Sequence, residues 1–151
     1  MPDLEPSRLH ADALLALAET GLAALGSALT CYLDAVPDDP AWPYVVFWST
    51  PATPAAAAVR LRGWAQEVET VTQATVAGLS VLDVLGAADR LALAVHRRRP
   101  VIVGRQCGDV EVELATARPV LDPNPTPEGR PVWTAVLFFR FMSNPTTSIG
   151  A

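Results

Sequence analysis

Between residues 81 and 95 apolar side chains return every three or four positions, whereas on either side of that stretch the spacing falls towards two. Val81, Val84, Leu85, Ala88, Leu91, Ala92 and Val95 trace one apolar stripe of an amphipathic helix. Gly78 interrupts the preceding run, and Ser80 stands in N-cap position with Asp83 three residues on, the spacing of a capping box. Pro100 closes the unit, and Arg97, Arg98 and Arg99 are placed in the last helical turn, where cations oppose the negative end of the dipole. Before the helix, residues 67–77 are rich in Thr and Val, whose branched side chains suit a pleated, half-covered surface, so a strand is predicted there.

The flanking patterns extend this unit in both directions. Ser7 can cap a long first helix, with Leu15, Ala18, Leu22, Leu25, Leu29 and Leu33 tracing its face as far as Asp34. The opposite face is largely Ala, which points to packing against another subunit. Pro37, Pro40 and Pro43 make a loop, and 44–48, YVVFW, reads as a buried strand. Residues 55–64 admit a helix or a strand, and the alternation in 59–64, VRLRGW, favours a strand pairing with the next one.

After the second helix, 101–103 is a short apolar run and 104–108 a turn. Residues 109–118 alternate, with Val110, Val112, Leu114 and Thr116 on one face and Glu111, Glu113, Ala115 and Ala117 on the other. Residues 119–131 hold Pro119, Pro123, Pro125, Pro127 and Pro131, too many for a regular element, and predict an extended loop. Residues 132–142 are apolar on both faces and belong inside a sheet, while 1–6 and 144–151, with the tail from Ser143, are expected to be flexible. The sum is an α+β fold over 1–151 as a single domain: a small, largely antiparallel or mixed sheet, with a long N-terminal helix and a second helix packed on it.

Composition agrees with a folded chain: 50% of the 151 residues are hydrophobic and 18% charged, and a domain of that length removes roughly 70% of its unfolded surface from water. Acids stand near the N-terminus where a secretory signal carries cations, and 20–33 is too short to span a bilayer, so a soluble, non-membrane protein is expected. Cys31 and Cys107 show no metal-ligand spacing and read as buried free thiols. A net charge of −5, with Arg97 to Arg99 the one basic cluster, argues against a nucleic-acid binder that grips phosphate.

Candidate chemistry is sparse. His10 and His96 lack a partner at recognisable spacing and read as surface histidines. Glu67 with Glu69, and Glu111 with Glu113, place carboxylate pairs on strand faces, where a solvated surface is the ordinary outcome. The segment 104–108 lacks the glycines and lysine of a phosphate loop, and no zinc, metalloprotease or nucleophile-elbow pattern occurs.

Several phrases do resemble the tail terminator, or tail completion, proteins of long-tailed bacteriophages. They run from 44 to 145: the PYVVFW strand, ETVTQATVAGLSVLDVLGAADRLALAV, RRRPVIVGRQCGDVE, the RPVLDPNP loop and the closing VWTAVLFFRFMSNP strand. The resemblance implies a structural virion protein of the tail-neck region, assembled in the host cytoplasm as a homohexameric ring. That ring would sit on the tail tube protein, end tube growth and meet the head-tail connector. It implies no catalytic residues, cofactor or metal. Under it, Glu67, Glu69, Glu111 and Glu113 become candidates to line a channel through which DNA passes without binding. Arg97, Arg98, Arg99, Pro123, Pro125 and Pro127 become candidates for contact with a neighbouring subunit or partner. Another head-tail neck protein, or a small ligand-binding module, are the alternatives.

Overall fold

The computed structural model describes residues 5–54, 67–116 and 118–146. In chain order the described elements are helix α1 (Pro6–Ala24), strands β1 (Thr30–Leu33), β2 (Tyr44–Trp48), β3 (Thr53–Pro54) and β4 (Val68–Gly78), helix α2 (Val81–Val95), and strands β5 (Arg105–Cys107), β6 (Glu111–Leu114), β7 (Val120–Leu121) and β8 (Trp133–Pro145). The Thr- and Val-rich run and the all-apolar run become β4 and β8. These are antiparallel neighbours in continuous register, from Val68 opposite Ser143 to Gly78 opposite Trp133. They form the centre of an eight-stranded sheet. On one side β4 pairs with β2 and β3, and β1 joins β2 in parallel. On the other, β8 pairs in turn with β7, β6 and β5. The fold is α+β with a mixed sheet.

Strand alternation gives the sheet two different faces. Thr70, Thr72, Ala74 and Val76 of β4, with Ala135, Leu137, Phe139, Phe141 and Ser143 of β8, are buried. On this face Val45 and Phe47 of β2 meet Leu14, Ala18 and Leu22 of α1 and Val84, Leu91 and Val95 of α2 in one core. Both helices therefore lie on the same side. They approach closely: a Cβ on Gly21 would stand 2.5 Å from the Ala94 carbonyl oxygen and 2.9 Å from the Ala94 Cβ. Ser80 caps α2 as its position predicts, its Oγ accepting from the Asp83 N–H at 3.1 Å.

Several expectations are corrected. The first helix stops at Ala24, because Gly26 takes the left-handed conformation at φ 67 and the Ser27 and Gly26 amides return to the Leu22 and Ala23 carbonyls. That is a Schellman cap, and Thr30–Leu33 is then free to form a strand. Ser7 does not cap it; Glu5 precedes the helix, and Ser7 Oγ accepts from the Ala52 N–H. Arg97, Arg98 and Arg99 lie beyond α2, which ends at Val95 with His96 extended and Arg97 at φ 58. Backbone bonds from Arg97 N to Val110 O and from Val110 N to Arg98 O pull this segment away from the helix axis.

The 104–108 segment contains β5, since the turn at Gly104 sends 105–107 back along the end of β8. The 119–131 loop contains β7 and is organised by Thr126. That buried residue accepts from the Gly129 amide through its carbonyl and from the Arg130 amide through its hydroxyl. The chain is not loose from Ser143, which is 2% exposed within β8, and Thr146 N still donates to Gly104 O. Pro6 already belongs to α1, whereas the predicted strand at 59–64 and residues 1–4 and 147–151 lie outside the described residues. Among the described residues no helix is long and apolar enough to cross a membrane.

Candidate functional site on the open sheet face

The sheet face turned away from α1 and α2 carries no helix among the described residues, and its side chains follow from strand register. Cross-strand partners share a face, so Glu69 lies beside Met142, and Val71 beside Arg140 and then Glu111. Trp48 leads across Gln73 and Phe138 to Glu113. Three of the four channel candidates, Glu69, Glu111 and Glu113, are thereby gathered on one surface. Glu67 precedes β4 and sits at the rim of a groove of about 310 Å³ that it shares with Arg99, Gln106, Cys107 and Met142.

The charges on this face are unequal. Arg140 Nε reaches Glu69 Oε1 at 3.1 Å, while Glu111 and Glu113 are exposed on a strand that ends the sheet at this level. The remainder mixes polar Gln73, Thr75 and Thr134 with apolar and aromatic side chains. Val71, Trp48 and Met142 are exposed, and Trp48 Nε1 donates to Thr75 Oγ1 at 3.1 Å. At the β1 side Tyr32 and Trp42 both pack against Tyr44, whose hydroxyl is pushed up from its ordinary pKa by burial and by Asp122 and Tyr32. Such a mixture of acid and exposed aromatic suits an aqueous boundary or an interface. Among the described residues no three His, Cys, Asp or Glu side chains gather in a metal-binding group.

The other candidates are scattered. Arg97 and Arg98 are exposed, while Arg99 Nε pairs with Asp109 Oδ1 at 3.0 Å. Pro123, Pro125 and Pro127 are exposed on the loop beside β7, held outward by the bonds around Thr126. The register does not bring the arginines and prolines into one patch.

One cluster escaped the sequence reading altogether. His10 is fully buried, not at the surface, and its ring stacks on Phe141 at 4.2 Å. Its Nδ1 lies 2.8 Å from Thr70 Oγ1 and its Nε2 2.6 Å from Ser143 Oγ. Arg105, also buried, donates from Nε to the same Ser143 hydroxyl and from Nη2 to the Ser143 carbonyl. These residues stand 60, 133 and 38 positions apart in the contacting pairs, so no spacing could announce them. The Ser–His distance is one a nucleophile and its base would use. Here the hydroxyl is sealed under α1 and already accepts from a guanidinium, so the cluster works as a tie between α1, β4, β8 and β5. His96 is exposed as predicted, its Nδ1 accepting from the Val112 amide at 3.3 Å.

The cysteines do not pair with each other. Burial, and Glu19 nearby, push the Cys31 thiol up to about 12, although the residue is only half-buried; burial also raises Cys107, against the pull of Arg105. Neither is poised as a thiolate nucleophile. No protein-family model and no curated protein sequence matches this chain.

Proposed function

We propose that this chain is a structural protein of a bacteriophage tail, a tail terminator that closes into a hexameric ring on the tail tube protein and presents its other side to the head-tail connector. The observation that carries the reading is the sheet face, covered by no helix among the described residues, on which Glu69, Glu111 and Glu113 outnumber Arg140. Turned inward around a six-fold axis, that face gives a negatively charged channel wall, which repels DNA phosphates and lets the duplex slide. The flanks supply what a ring needs. Head-to-tail contacts require two unlike patches per subunit, and the edge at β1 differs in composition from the edge at β5, β6 and β7. The exposed prolines of the 119–131 loop stand beside the second edge, within reach of a neighbour.

The test joins assembly to charge. Purified protein, alone or added to tail tubes, should form six-fold rings visible by electron microscopy. Lysine substitutions at Glu69, Glu111 and Glu113 should leave those rings intact while making them retain duplex DNA at low salt. A ring whose density places these carboxylates on the outer wall would refute the channel assignment, and failure to form rings on tube tips would refute the terminator reading.

A further inference from the structure

Two unlike features stand at the same end of the sheet, near its opposite edges. Thr30 pairs with Tyr44, Tyr44 with Ala77, Ala77 with Thr134 and Thr134 with Val120, so one row of residues crosses from β1 to β7. Four steps between strands make that row about 19 Å wide. Tyr32, Trp42 and Tyr44 gather towards its β1 end, and at its β7 end the chain leaves into the proline-rich loop.

The aromatic rings are set at angles. Tyr32 meets Tyr44 at 69° with centroids 5.7 Å apart, and Trp42 meets it at 52° and 4.9 Å. All three keep part of their surface in water. Aromatic faces left open in this way are where proline-rich segments dock in recognition modules. Beside them the connection from β1 to β2 carries Asp38 and Asp39, both exposed.

The loop has the matching chemistry. Asp122, Asn124 and Thr126 each precede a proline, which disfavours helical backbone there. Bonds from Asn124 N to Asp122 Oδ1 and from Arg130 N to Thr126 Oγ1 order the segment before any contact, so docking costs it little entropy. Exposed arginines, Arg118 and Arg130, stand at its two ends. Of the acids between them, Asp122 is engaged by the Asn124 amide and Glu128 lies in the turn that Thr126 closes with Gly129. Arg118, Arg130, Asp38 and Asp39 make no ion pair among the described residues. Within one chain Asp122 comes near the Tyr44 hydroxyl, yet Pro123, Pro125 and Pro127 stay exposed, so the chain's own rings do not cover them.

We infer that the 118–130 loop of one copy docks on Tyr32, Trp42 and Tyr44 of the next copy, with Arg118 and Arg130 facing its Asp38 and Asp39. Laying the β7 edge of one copy beside the β1 edge of another brings the two features together at one level of the sheet. The contact joins unlike surfaces and is therefore head-to-tail. It rests on the ring closure proposed above and names the contact that makes it.

Sedimentation of the full-length protein, and electron microscopy of tail tubes incubated with it, test this contact. The wild type should associate. Arg118→Glu with Arg130→Glu, and separately Asp38→Arg with Asp39→Arg, should each weaken that association about tenfold or more by setting like charges together. Mixing the two variants should restore it, because each supplies the charge the other lacks, and no contact within a single chain responds to mixing. Pro123→Ser with Pro125→Ser should also weaken association, in a chain whose circular dichroism is unchanged. The inference is overturned by a wild type that is monomeric both in solution and on tubes, by association that ignores both reversals, or by weakening that mixing does not reverse. Six-fold rings on tube tips that tolerate every reversal would leave the ring reading standing and remove this contact. Reciprocal rescue in an assembly that never caps a tube would keep the contact and remove the terminator.

Discussion

Replacing His10 by Ala removes a ring stacked at 4.2 Å and two hydroxyl contacts from a site closed to water. The expected loss is about 3 kcal/mol, combining a buried cavity with hydrogen-bonding groups that lose a partner. A chemical denaturation midpoint unchanged by His10→Ala would show that the cluster is not a tie. Ser143→Ala should act in the same direction, since that hydroxyl joins His10 to Arg105. The thiol at Cys31 makes a different prediction. Its pKa rises from 9.0 to about 12 in the folded chain, so above pH 9 the unfolded thiol ionises while the folded one keeps its proton. The associated stability is complete below pH 9 and is lost as pH climbs towards 12. Melting curves between pH 8 and 11 should therefore fall less steeply for Cys31→Ala than for the wild type. A native thiol that titrates near 9 by ultraviolet absorbance would contradict this.

At the scale of elements, two small substitutions in the helices should separate local from tertiary effects. Ser80→Ala deprives the first turn of α2 of its cap and should cost about 1 kcal/mol, an effect readable from the Ser80–Asp83 spacing. Gly21→Ala replaces a poor helix former by the best one, yet it should cost about 1–3 kcal/mol, because the added methyl meets the backbone of Ala94. The sequence shows Gly21 only as an interruption in a leucine pattern; its use appears once α2 lies across α1. A thermal midpoint raised by Gly21→Ala would mean that the helices do not cross this closely. The same distinction explains β5 and β7. Both are very short and owe their form to the long edge of β8 that they line, so residue pattern alone did not announce them.

At the scale of the molecule, function rests on which surfaces remain uncovered. Helices α1 and α2 take one face of the sheet, while Glu69, Glu111 and Glu113 lie on the other, which no helix covers among the described residues, and Leu82, Leu85 and Leu93 are exposed on the outside of α2. Under the proposed reading the first surface is a channel wall, and raising the salt concentration tests it. DNA retention by the lysine-substituted ring should weaken steeply with salt, because it depends on counterion release. In α1 the large apolar side chains Leu14 and Leu22 are buried, and Asp12 and Glu19 are among the residues that face water.

Periodicity was sufficient for whatever is local. It predicted the strand before Gly78, the capped helix after Ser80, the buried YVVFW strand, the alternation around Glu111 and Glu113, and the α+β class, because side-chain direction repeats with the backbone geometry of each element. Only tertiary structure could decide that Glu69 and Glu111 flank Arg140, that His10 lies between Thr70 and Ser143, and that Gly21 touches Ala94. Those contacts join residues far apart in the chain. Their free energy depends on sheet register and helix crossing, which no single segment encodes until the others are in place.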